Sequence, residues 1–195
     1  MKLQVIIIGT GHPLQAGHDD YSPSQLKAFA DLLERTRKKY RVKFIAEEMS
    51  IDALADFGVT TTVAKTFADR KRLRHRYVDL TREERTAFKV DRYGLHQVGQ
   101  TARLSAPQFA ALEKTVDELR ECVWLVRVLE INTWPVLFIC GANHAPRVQY
   151  LFNTVGKFAH IEVNDYEAQP FGQPDRREAA LLGSPSASPP GGRLP

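Results

Sequence analysis

The chain lacks any uninterrupted apolar segment near the roughly 18–20 residues that a membrane-spanning helix needs, so no membrane partner is expected. Yet 43% of its 195 residues are hydrophobic, enough for one domain with a sizeable core. Cysteine is scarce. Cys122 and Cys140 are the only two, and their separation fits neither a metal knuckle nor a redox motif. Free buried thiols and a reducing, cytoplasmic setting are therefore expected. Met1-Lys2-Leu3 followed by Val5–Ile8 has the order of a signal peptide. Its apolar part is too short and a glycine turn follows at once, which predicts a first strand instead. Nucleotide fingerprints are incomplete as well. Gly9-Thr10-Gly11 follows that strand, but Leu14 stands where the dinucleotide motif needs its third glycine, and no P-loop pattern occurs.

Charge is moderately basic, +4 overall, and much of it gathers in Arg35–Lys43 and Arg70–Arg76. Such clusters can face phosphate. Lysine and arginine also favour helix C-termini, where the last carbonyls are unpaired, and that explains both positions. Nucleic acid is thus an alternative partner and not the favoured one.

What is present is an alternation of buried strands and amphipathic helices. Leu3–Ile8, Val42–Ala46, Tyr77-Val78, Pro135–Cys140 and Phe158–Val163 read as strands, the first apolar throughout, as expected of a strand covered on both faces. A turn-rich loop is expected until Ser22-Pro23-Ser24-Gln25, whose capping serine, first-turn proline and following glutamine open a helix. Further helices are predicted over Ile51–Phe57, over Thr61–Leu73, from Thr81-Arg82-Glu83-Glu84, and from Ser105-Ala106-Pro107. In the last, Phe109, Leu112, Val116, Leu119, Val123 and Val126 fall on one face. Its apolar second half, Cys122–Leu129, also suits a strand, although its length favours a buried helix. Another helix begins at Ala145-Pro146 and closes at Gly156. The expected fold is α/β, a mostly parallel sheet of about five strands with helices on both faces. Residues 1–165 form the domain, and 166–195 a flexible tail rich in Pro, Ser and Gly.

One short pattern occurs twice, each time directly after a predicted strand: Gly9-Thr10-Gly11-His12 and Gly141-Ala142-Asn143-His144. In a parallel sheet all strands end on one edge, where ligands bind. His12, Glu47 or Glu48, Asp79 and His144 all follow strand ends on that edge. Two histidines with one or two carboxylates can bind a divalent ion that activates water. Alternatively, one histidine acts as the base and a carboxylate fixes its tautomer. Arg120, beside Asp117 on the long helix, is the best candidate for a cation facing a developing oxyanion, with Arg127 seven residues further along. Asp79 reads more simply as the start of the turn before Thr81. His18 is an outside ligand candidate, and His75, His96 and His160 read as structural.

Paired Gly-x-x-His motifs, a glutamate after the second strand and an arginine on a late helix resemble the TraB/TIKI superfamily, to whose broad fold erythromycin esterase-like and ChaN-like proteins also belong. Gly9 and His12 match the first motif, Gly141 and His144 the second, Glu47 or Glu48 the glutamate, and Arg120 the arginine of an arginine–acid pair. The resemblance implies a hydrolase of amide or ester bonds acting on a small-molecule or peptide substrate. His12, Glu47, Glu48, Arg120 and His144 would be its catalytic set. His12, Glu47, Glu48 and His144 would hold a divalent metal (Mn, Zn or Co) if one is used.

Overall fold

The computed structural model describes residues 4–88 and 104–166. Five strands, β1 (Val5–Thr10), β2 (Phe44–Glu47), β3 (Arg74–Tyr77), β4 (Val136–Gly141) and β5 (Ala159–Tyr166), form one sheet in the order β3-β2-β4-β1-β5. Every pairing is parallel, as the alternation of strands and helices predicts. Successive side chains of a strand point to opposite faces. Val5 and Ile7 therefore join one core with Phe138, Trp124, Val148 and Phe152. Ile6 and Ile8 join the other with Leu137, Leu14, Phe29 and Phe67. Both cores are closed to solvent, which is why β1 carries no polar alternation. Truncating a fully buried Trp124 or Phe138 to alanine would cost about 3–5 kcal/mol.

Helices α1 (His12–Ala16), α2 (Pro23–Tyr40) and α4 (Val63–Arg70) cover the second core. The long α6 (Ala106–Ile131) and α7 (Ala145–Thr154) cover the first. Two short helices, α3 (Ile51–Asp56) and α5 (Arg82–Ala87), follow the carboxyl ends of β2 and β3. The helix starts are built as their sequences dictate. Ser22 and Thr81 head complete capping boxes with Gln25 and Glu84, while Ser50 and Thr62 accept from backbone amides three residues on. No helix among the described residues is long and apolar enough to cross a membrane.

Several local expectations need correction. The loop predicted between the first strand and Pro23 contains a helix, α1, with Pro13 in its first turn and Gly17 in the left-handed conformation at its end. The helix expected over Thr61–Leu73 stops at Arg70, and Arg72 turns at positive φ to enter β3. That strand lies earlier than Tyr77-Val78 because it is a sheet edge, where charged residues alternate outward. The segment Cys122–Leu129 is helical. The predicted stripe holds in part: Val116 is buried with Leu112 and Val123 packed beside it, but Leu119 and Val126 are exposed. From Val116 onward the buried line runs through Arg120, Trp124 and Val128, spaced by four. Cys140 is buried, but Cys122 is exposed. His96 and the tail from residue 167 onward lie outside the described residues.

Candidate active site

Strands β1 and β4 are neighbours, with Gly9 opposite Cys140 and Thr10 opposite Gly141. The two glycine–histidine turns therefore leave the sheet side by side. The helices that follow them diverge: α1 packs on one face and α7 on the other. Such a divergence between adjacent strands opens a crevice at their carboxyl ends, the usual ligand position in a parallel sheet. Gly9 lets the two turns approach closely, since a Cβ there would stand 3.1 Å from the Ala142 Cα and would displace the Asn164 side chain. At Gly141 the same atom would touch His144, Glu48 and His12 at 3.3–3.6 Å, which places that glycine against all three side chains.

Glu48 is the centre of the group. Its Oε1 lies 3.3 Å from His12 Nε2 and 3.7 Å from His144 Nε2. The same oxygen accepts from Arg120 Nη2 at 3.1 Å, and Oε2 accepts from the Gly141 amide at 2.7 Å. This buried carboxylate is thus joined to a guanidinium, a backbone amide and two imidazoles, as a buried charge requires. His12, His144 and Arg120 meet around it as expected, although they come from different thirds of the chain. With Met49, Ala53, Phe57, Asp79 and Arg85 they line a cavity of about 190 Å³.

Glu47 is not part of this group. One residue earlier on β2, it shares the face of Ile45 and points away from the cavity. There it accepts from Thr62 Oγ1 at 2.7 Å and meets His75 Nε2 at 3.0 Å. Period-two alternation separates the adjacent glutamates, and the choice that the motif leaves open falls geometrically on Glu48.

Arg120 makes four hydrogen bonds: to Glu48, to Asp117 at 3.0 Å, and twice to Asp79 at 2.9 and 3.3 Å. Burial alone would lower its pKa, but the facing Asp79, Glu48 and Asp117 charges more than compensate and raise it. Asp79 does more than begin a turn. It also pairs with Arg85 and accepts from Trp124 Nε1 at 2.9 Å. Burial would raise its pKa, but these partners, Arg120 foremost, hold it below the ordinary range. Arg127 instead binds the Asp79 carbonyl at 2.7 Å and pairs with Glu84, bracing the turn between β3 and α5.

Glu121 is the residue that the sequence reading left without a role. Its Oε1 lies 2.7 Å from His144 Nδ1, and Arg147 Nε stands 2.7 Å from its Oε2 as an ion pair outside hydrogen-bond alignment. Trp124 supports the imidazole edge-on at 5.1 Å. Burial would lower the pKa of His144, but the Glu121 hydrogen bond and the Glu48 charge overcome it and raise the value above that of a free histidine. Glu121 is adjacent to Arg120 on a buried stretch of α6, and an acid–base pair in such a stretch was the available signal.

The metal expectation does not match the donors as placed. Glu48 already shares its oxygens with Arg120 and Gly141. Among the described residues no group of three His, Cys, Asp or Glu side chains is arranged to hold an ion. His18 pairs with Asp20, and His160 with Glu162, outside the group. A larger groove of 590 Å³ runs between α2 and α4, but none of the gathered histidines, Glu48 or Arg120 lines it. The basic clusters lie toward the opposite, amino edge of the sheet, and five of their eleven cations are paired with acids. Arg37, Lys38 and Lys71 surround Glu34, Lys39 binds Glu162, and Arg76 binds Glu130. Glu34 is held down to about 2, chiefly by its Arg37 hydrogen bond. No protein-family model matches the chain, and neither a curated protein nor a solved structure does.

Proposed function

We propose that the chain is a hydrolase of the TraB/TIKI type that cleaves ester or amide bonds of a small-molecule or peptide substrate. The observation that carries this reading is the meeting of His12, His144 and Arg120 on one buried carboxylate, Glu48, beside an open cavity. Glu121 accepts the hydrogen on His144 Nδ1 and leaves the Nε2 lone pair facing the cavity, the tautomer a general base needs. His144 Nε2 takes a proton from water, and the water oxygen bonds to the substrate carbonyl carbon. The carbon–heteroatom bond then breaks, and the same proton passes from His144 to the leaving oxygen or nitrogen. Glu48 holds His12 at the cavity mouth, where the ring is 40% exposed and able to meet the substrate. The four hydrogen bonds of Arg120 fix its positive charge beneath the reacting carbonyl, so it acts through its field. None of these steps uses a metal.

Turnover of aryl esters and anilides by the purified protein tests the reading. Wild type should hydrolyse at least one class, and His144→Ala should remove that activity while remaining folded. Turnover unchanged by His144→Ala, or no turnover of either class, would overturn it.

A further inference from the structure

One wall of the cavity has no part in the chemistry above. Met49, just before α3, lines the cavity together with Ala53 and Phe57, which lie one helical turn apart on α3 and its C-cap. Met49 is buried, and Ala53 and Phe57 are half-buried. A charged or strongly polar substrate group pressed on this wall would lose its water and find no partner. Size narrows the choice further. At about 30 Å³ for each water-sized group, a 190 Å³ cavity holds roughly six non-hydrogen atoms. A carbonyl carbon with its two heteroatoms takes half of them, leaving room for about three more carbons.

We propose that the substrate is an ester or amide of a short, unbranched apolar acyl group, acetyl to butyryl. Its chain lies on Met49, Ala53 and Phe57, and its leaving group projects past His12 into solvent. This rests on the hydrolase reading and adds the substrate class. The small Ala53 side chain leaves this space open, because a longer side chain there would occupy the room that the acyl chain needs. The products are a short carboxylic acid and an alcohol or amine.

The test compares p-nitrophenyl acetate, butyrate and octanoate with wild type, Ala53→Leu and the His144→Ala control, together with butyrate binding followed by NMR. In wild type, kcat/KM for octanoate should fall at least about tenfold below that for butyrate, the scale on which an apolar pocket discriminates by chain length. Ala53→Leu should lose about tenfold or more on butyrate and change acetate less than about threefold. It should also weaken butyrate binding without lowering Tm. If octanoate is cleaved as well as butyrate and Ala53→Leu changes nothing, the acyl subsite is wrong and the hydrolase reading stands. If neither ester nor anilide is cleaved but butyrate binds and Ala53→Leu abolishes binding, the subsite stands and the hydrolase reading falls. Absence of both turnover and binding overturns both.

Discussion

Glu47 and Glu48 are chain neighbours, both fully buried, and each meets at least one histidine, yet their surroundings differ in kind. Glu47 faces His75, only 2% exposed, in a sealed space behind α4. Its Oε1 has no hydrogen-bond partner among the described residues. Glu48 faces a cavity, and the two imidazoles beside it are 40% and 13% exposed. Burial and a histidine are therefore not enough to suggest chemistry. Access for a reactant and several groups aimed at one point are also needed.

The sharpest way to break this comparison is to remove one histidine from each side. His144→Ala should lower kcat by about 10²–10⁴-fold, the usual worth of a positioned base, and should also lower Tm, since the buried Glu121 loses its 2.7 Å partner. His75→Ala should leave turnover within about twofold but destabilise the fold by about 1–3 kcal/mol, since the buried Glu47 would lose one of its two hydrogen-bond partners and keep only Thr62. Activity assays paired with thermal melts read both effects, and equal loss of activity in the two variants would erase the distinction.

The carboxylates give the next largest contrast. Glu48→Gln should cost about 10²-fold or more in kcat, because His12 and Arg120 lose the charge that places them. Glu47→Gln should change Tm and leave kcat/KM nearly unaltered. Steady-state kinetics on both proteins decides this.

A smaller effect should follow from Glu121→Gln. Protonated His144 is favoured in the folded state, so its contribution to stability is complete below the pKa of a free histidine. That contribution disappears as pH rises through the higher folded-state value. The base form that catalysis requires accordingly appears only above that value. Glutamine keeps an acceptor for Nδ1 but removes the negative charge and its charge-assisted hydrogen bond, which leaves burial dominant. The acid limb of kcat should then move to lower pH, and the plateau should fall by up to about 10²-fold through looser orientation. An acid limb that stays in place would show that Glu121 does not tune His144.

The smallest expected effect concerns metals. Mn²⁺, Zn²⁺ and Co²⁺ should leave the Tm of wild type within about one degree, since only an ion bound by the native state stabilises it. A rise of several degrees that is lost in both His12→Ala and His144→Ala would reinstate a metal between the two rings.

Much of the fold was legible because its signals are local. The all-apolar run of β1 announced a strand covered twice, and Ser22, Thr81 and Gly58 marked helix ends where the chain turns. The misreadings arose where a local pattern met a global demand. Leu119 and Val126 fit an apolar stripe, but α6 is rotated so that Arg120 and Glu121 enter the site. The helix α1 was missed because its five residues are too few for periodicity to register.

By itself the sequence determined the strand–helix alternation, the parallel sheet and the two glycine turns, since each follows from short-range sterics, capping and hydrophobic period. Only the tertiary structure decided that His12 and His144 are neighbours, that Glu48 rather than Glu47 lies between them, and that Glu121 orients the second ring. Those relations depend on strand order, pairing register and helix packing, which are set by contacts between segments from 23 to 131 residues apart.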